Sequence, residues 1–145
     1  MARDSVTDID PDQLLKAYTL GYFPMARRRI DKDVVWVLPD VRGVLRLEDA
    51  RAPKRLKSFL AKSPFEIAVN RDFAGVIAGC AASAPGREDT WINDPIHEVF
   101  VELRRLGFAH SVECYEGASL VGGIYGVAVG EIFCGESMFS RRTNA

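Results

Sequence analysis

No stretch of this sequence approaches the roughly 18 consecutive apolar residues that a helical membrane span needs. Its first residues, Met1-Ala2-Arg3-Asp4-Ser5, carry no apolar signal region, so a soluble cytoplasmic protein without a membrane partner is expected. Excess charge is missing as well. With 19 basic and 20 acidic residues the net charge is −1, which leaves no global electrostatic footprint for nucleic acid; any RNA contact must come from a local patch. Histidine is scarce, only His97 and His110. The three cysteines, Cys80, Cys114 and Cys134, are odd in number, widely spaced and set in apolar surroundings. That pattern fits reduced structural thiols better than disulfides or a zinc site, and no metal or cofactor is expected. Internal repeats and low-complexity tracts are absent.

What is present is 145 residues, 48% of them hydrophobic, enough for one globular domain or for one with a small appendage. Asp10-Pro11 followed by Leu14, Leu15 and Tyr18 predicts a short helix, with Asp10 as its cap and Gly21 as its left-handed stop. Tyr22-Phe23-Pro24-Met25 reads as a turn. Residues 34–38 read as a strand that residues 43–47 can pair with, and Leu56, Phe59 and Leu60 fall at helical spacing. Composition shifts at Ser63-Pro64, taken as a boundary between units 1–62 and 63–145. Beyond it come a strand over 65–69, a helix over about 72–82 capped by Asn70, and a helix opened by Asp94-Pro95 and stopped at Gly107. Three strands then follow in a meander, over 109–115, 120–127 and 131–137. Helices covering a largely antiparallel sheet make the expected class α+β.

Several motifs hold two readings. Gly122-Gly123-Ile124-Tyr125-Gly126 suggests a phosphate loop, but its glycines interrupt a strand instead of joining a strand to a helix. They mark a bulge, a bend or a close backbone approach, or else a place where a ligand comes near. The run Arg104-Arg105-Leu106-Gly107-Phe108-Ala109 has the Arg-x-x-Gly-x-Ala pattern of acetyltransferases that bind coenzyme A. Here it ends a helix, where Gly107 serves as the stop. His110 and Glu113 are three apart on a strand and point to opposite faces, a poor metal pair. No nucleophile–base pairing is legible for Ser137 or Cys134. The basic run of Arg51, Lys54, Arg55, Lys57 and Lys62 fits a solvated helix face and an RNA-backbone contact equally well.

The most unusual residue is Glu136, a lone carboxylate in the otherwise apolar strand around Phe133-Cys134-Gly135-Glu136-Ser137-Met138-Phe139. A carboxylate in such company is costly to bury unless it is paired or has a task.

Five blocks, in order, resemble the leucyl/phenylalanyl-tRNA–protein transferase family across nearly the whole chain. They are Leu14-Leu15-Lys16-Ala17-Tyr18 with Gly21-Tyr22-Phe23-Pro24; Thr90-Trp91-Ile92; Ala109-His110-Ser111-Val112-Glu113; Leu120 through Ala128; and Phe133 through Ser140. The resemblance implies a small N-terminal domain (1–62) and the N-terminal part of an acetyltransferase-like domain (63–145) that uses no coenzyme A. It implies transfer of Leu, Phe or Met from an aminoacyl-tRNA to the N-terminal Arg or Lys of a protein, which marks that protein for degradation. It makes Glu136 a catalytic candidate that orients the attacking amine or relays its proton. Phe133, Ile124 and Met138 fall at positions lining the donor amino-acid pocket. Trp91 is either a stacking platform for the terminal adenine or a core anchor.

Two departures stand out. Met25 replaces a tryptophan that some members carry after Phe-Pro. The family also continues past the segment matching Thr143-Asn144-Ala145 with a helix, a strand bearing an Asp-x-Gln motif and a closing region; the glutamine of that motif is part of its catalytic apparatus. The resemblance thus implies that this chain is the N-terminal three-fifths to two-thirds of such a transferase, inactive or nearly so on its own. A non-catalytic tRNA- or peptide-binding module is the alternative, and a coenzyme A acetyltransferase a third.

Overall fold

The computed structural model describes residues 8–145. The chain begins with helix α1 (Pro11–Thr19), and Asp10 caps it as expected, accepting the amides of Asp12 and Gln13. Gly21 follows at φ +85°, a conformation that favours glycine. It turns the chain into strand β1 (Phe23–Met25), which pairs antiparallel with β2 (Val35–Val37). This corrects two expectations. Within the segment read as a turn, residues 23–25 form a strand, and residues 43–47 do not pair with β2. The partner of β2 is supplied by the segment that Gly21 folds back, while Val44, Leu45 and Leu47 of the later segment remain exposed.

Helix α2 (Lys54–Leu60) buries no residue fully and rests on the next element through Phe59, whose ring centroid is 5.8 Å from that of Phe65. A four-stranded antiparallel sheet follows, in the order β3 (Phe65–Val69), β4 (Ala109–Glu116), β5 (Ser119–Val129), β6 (Ile132–Ser140). Helices α3 (Phe73–Ala81) and α4 (Asp94–Arg105) connect β3 to β4. The mixture of helices with antiparallel sheets makes the fold α+β, as expected. None of the helices among the described residues is long and apolar enough to cross a membrane.

The cap of α3 is a further correction. Asp72, not Asn70, caps this helix and accepts the amide of Gly75 at 2.9 Å. Asn70 sits at φ +57°, a left-handed conformation that asparagine tolerates better than most residues. Its side chain instead ties β3 to β4, accepting the Ser111 amide at 3.0 Å and meeting His110 Nδ1 at 3.1 Å. Helix α4 is capped by Asn93 and ends at Gly107, φ +88°, where the Phe108 amide reaches back to the Leu103 carbonyl. This is the helix stop read from the sequence.

Side chains alternate across the sheet. Ala109, Ser111, Glu113, Tyr125 and Val127 face inward and are buried. They meet α3, α4 and α1 in one core that includes Leu14, Tyr18, Phe73, Ile77, Phe100 and Leu103. Tyr125 stands at its centre, edge-on to Phe73 and Phe100 with centroids 5.8 and 5.3 Å away, an arrangement that favours aromatic pairs. Ile67, Val112, Ile124 and Met138 alternate with these residues and face outward.

Candidate functional site

The register of β5 against β6 decides where Glu136 points. Tyr125 lies opposite Ser137 and Gly126 opposite Gly135, so Glu136 is the extra residue of a β-bulge. A bulge bends its strand and re-aims a side chain. Here it turns Glu136 toward the helix-covered side, beside Tyr18 of α1, Tyr125 of β5 and Cys134. Gly126 is the residue the bulge demands: a Cβ there would lie 2.2 Å from the Cys134 carbonyl oxygen and 2.6 Å from the Phe133 ring. Gly122 likewise lets the backbone of Ala145 approach closely, and Gly123 admits Val76 of α3. The structural reading of these strand glycines, bulge and close approach, is what the fold shows.

Burial pushes the Glu136 carboxyl up from its ordinary 4.5 to about 7, against a smaller opposing pull from the Tyr18 hydroxyl and the Arg42 guanidinium. The residue keeps partial solvent contact, so this carboxyl is desolvated without being sealed. Arg42 reaches the site from the segment after β2. It donates to the Gly21 carbonyl at 2.6 Å and lies over the Phe23 ring, 4.9 Å from its centroid. Both phenols are raised, by burial first and by Glu136 second. Their hydroxyls are buried without a hydrogen bond of standard geometry to any described residue. Burial also raises the Cys80 thiol, to about 11, which fits a structural cysteine.

The outer face carries a second feature, an apolar groove of about 410 Å³. Ile124 and Met138, opposite each other in register, form part of its floor, with Phe65 and Ile67 of β3, Val112 of β4 and Leu60 of α2 around them. Phe133 shares this outer face, standing over Gly126 beyond the groove. Three of the residues proposed from sequence for an amino-acid pocket are therefore gathered on one face, and two of them line one cavity. Glu136 is not among its lining residues and is aimed at the other side of the sheet.

Trp91 lies apart from the groove, in the segment leading into α4. It is half-buried against the core, and its carbonyl accepts the Ala26 amide at 3.0 Å. Arg51, Lys54, Arg55, Lys57 and Lys62 are exposed on and around α2. None of the five takes part in the ion pairs found among the described residues. Because Leu60 of the same helix lines the groove, the basic segment borders that cavity.

Sequence reasoning gave no role to Tyr18, Tyr125 or Arg42, although all three surround Glu136. For the tyrosines a signal existed: a phenol on an apolar helix or strand face brings a hydroxyl into the core that needs a partner. For Arg42 none did, since its place depends on the path of an irregular segment.

Comparison with known proteins agrees with this reading of the blocks. The family model described as leucyl/phenylalanyl-tRNA protein transferase matches residues 44–145, and the model for that protein's N-terminal domain matches residues 7–40. The leucyl/phenylalanyl-tRNA–protein transferase of Dinoroseobacter shibae is 48% identical over 144 residues, covering 99% of this chain and 63% of its own length. The protein of the same name from Rhodopseudomonas palustris is 47% identical over 146 residues, covering 99% and 65%. That of Maricaulis maris is 47% identical over 134 residues, covering 92% and 62%. The chain thus spans less than two thirds of the length of these relatives. With both models matched in order and near-complete coverage by relatives of this identity, the chain belongs to the leucyl/phenylalanyl-tRNA–protein transferase family.

Proposed function

We propose that this chain carries the donor-binding part of an aminoacyl transfer site, moving Leu, Phe or Met from an aminoacyl-tRNA to the N-terminal Arg or Lys of a protein in the cytoplasm, as a mark for degradation. The observation that carries this reading is the gathering of Ile124, Met138 and Phe133 on one apolar sheet face, next to a helix rich in exposed cations. A groove of about 410 Å³ falls in the range of small-molecule pockets, about 300–1,000 Å³. Its apolar walls suit a flexible or flat donor side chain, and Met138 adapts to either. The cations of α2 suit the RNA backbone, where they supply affinity without reading sequence. Trp91 is proposed as a contact of the terminal adenine, and the division at residues 62 and 63 as the boundary before an acetyltransferase-like unit.

The chemistry asks little of the protein beyond positioning. The α-amine nitrogen attacks the ester carbonyl and a C–N bond forms. The ester C–O bond breaks, and the proton lost by the amine ends on the leaving ribose oxygen. A carboxyl that titrates near 7, as Glu136 does, is matched to accept and return that proton at neutral pH. β6 is the edge of the sheet among the described strands, so a substrate lying along it reaches the outer groove and the bulge together.

One observation favours a second reading, a tRNA- or peptide-binding module without catalysis. The groove and the cations share one side of the sheet, while Glu136 faces the other. The test is binding of phenylalanyl-adenosine and of tRNA to the chain, followed by transfer of labelled Leu or Phe to an Arg-initiated peptide. The donor-site reading expects the analogue to bind, and Ile124→Trp to weaken it about tenfold or more with folding intact. Binding of neither analogue nor tRNA at low salt overturns both readings. Transfer that depends on Glu136 decides for catalysis, and binding without transfer decides for the module.

A further inference from the structure

Two hydroxyls in the core lack a well-formed hydrogen bond. Tyr125 is fully buried and Tyr18 is 8% exposed; the Tyr18 hydroxyl faces the Glu136 carboxyl without reaching standard hydrogen-bond geometry, and the Tyr125 hydroxyl has no hydrogen-bond partner among the described residues. Buried polar groups are nearly always satisfied, and an orphan costs about 1–3 kcal/mol. Both hydroxyls have the same acidic neighbour, Glu136, which the bulge in β6 swings toward them. Three elements therefore deliver three polar groups to one place: the last turn of α1, the middle of β5 and the bulge of β6. A buried water needs two to four such partners.

We propose that Tyr18 and Tyr125 are positioning residues for Glu136, their hydroxyls holding its carboxyl group through one bound water. The charged and titratable neighbours come from every element packed around the site: Tyr18 from α1, Tyr125 from β5, Cys134 from β6 and Arg42 from the segment after β2, with Cys80 of α3 a further neighbour of Tyr125. Arg42 is the only cation among them. It is held at the Gly21 carbonyl and the Phe23 ring, on the solvent side of the site. The hydroxyls thus control the inner side of the carboxyl and Arg42 its outer side. The arrangement fixes the direction in which Glu136 presents its free oxygen, and it links the N-terminal helix to the bulge without covalent chemistry.

The inference deepens the reading of Glu136 as the working carboxylate, but its test does not require activity. The carboxyl carbon of Glu136 is followed by ¹³C NMR through a pH titration, with Glu136→Gln identifying the resonance. The wild-type midpoint is expected at about 7. A water that both phenols orient donates to the ionised form, so Tyr18→Phe and Tyr125→Phe should each raise the midpoint by about 0.5 or more, roughly threefold in proton affinity. Tyr115→Phe on β4, where the ring lies beneath Arg71 of the β3–α3 turn, should leave it unchanged. An unchanged midpoint in both test variants overturns the proposal, and a change in only one overturns the shared water. Should Tyr125→Phe fail to fold, a melting-temperature double-mutant cycle of Tyr18→Phe with Glu136→Gln decides, additivity being the adverse result. Failure of these tests removes the positioning role alone. Loss-free transfer by Glu136→Gln would remove the catalytic reading of that carboxylate instead.

Discussion

The Oε1 atom of Glu113 lies 2.5 Å from the hydroxyl of Ser111, two residues back on β4, and both side chains are fully buried. The same carboxylate accepts the main-chain amides of Arg71 and Asp72, each at 3.3 Å. It thereby holds the start of α3 against the centre of the sheet. Replacing Glu113 by Ala should leave two amides and a hydroxyl without their acceptor and cost about 2–4 kcal/mol in urea unfolding. Glu113→Gln, which keeps an oxygen acceptor, should cost less.

Glu136 predicts a pH dependence of stability with a definite sign. Its folded value of about 7 lies above the ordinary 4.5, so between these limits the folded chain holds a proton that the unfolded chain has lost. Stability therefore falls as pH rises from about 4.5 to about 7, and the cost is fully present above that window. The full shift corresponds to roughly 3 kcal/mol, which residual solvent contact reduces to about 1–2. Glu136→Gln should remove this dependence. Its stability relative to wild type should rise between pH 5 and pH 8 in denaturant titrations, and a constant difference would contradict the desolvated environment.

Gly79 of α3 faces Phe139 of β6 so closely that a Cβ would lie 2.6 Å from the ring. Gly79→Ala gains about 1 kcal/mol of helix propensity, yet overpacking costs about 1–3 kcal/mol. The ring is packed against the core, so the steric cost should win. Thermal unfolding should show a lower melting temperature, and adding Phe139→Leu should restore much of it.

The α2 segment predicts salt-dependent RNA binding. Alanine at Lys54, Arg55 and Lys57 should weaken tRNA binding across sequences and reduce the slope of log K against log salt by about 0.7–0.9 for each phosphate that is no longer neutralised. Filter binding at several salt concentrations measures this. The same change at Arg28 or Arg105, which pair with Asp31 and Glu102, should have little effect. An unchanged slope in the triple variant would leave the basic run as a solvated helix face.

Much of the local structure was legible because its causes are local. Asp10 with Pro11 and Gly21, and Asp94-Pro95 with Gly107, delimited α1 and α4 through capping and left-handed turns. Alternating apolar residues located β3 over 65–69. Asn70 misled because asparagine serves equally as a cap and as a left-handed turn residue. The choice went to the turn once Ser111 and His110 of a distant strand engaged its side chain. Residues 23–25 carried no strand pattern of their own, and they became β1 through pairing with β2.

The candidate site divides in the same way. By itself the sequence determined that Glu136 was a carboxylate out of place and that the cations were concentrated around α2, while the family resemblance drew attention to Ile124, Met138 and Phe133. Only the tertiary structure decided that Ile124 and Met138 share a groove while Glu136 turns to the opposite side toward Tyr18 and Tyr125. The physical reason is the bulge. Side-chain direction in a strand follows parity, one extra residue reverses that parity, and whether a residue is extra is a property of two paired strands, which neither strand's sequence contains.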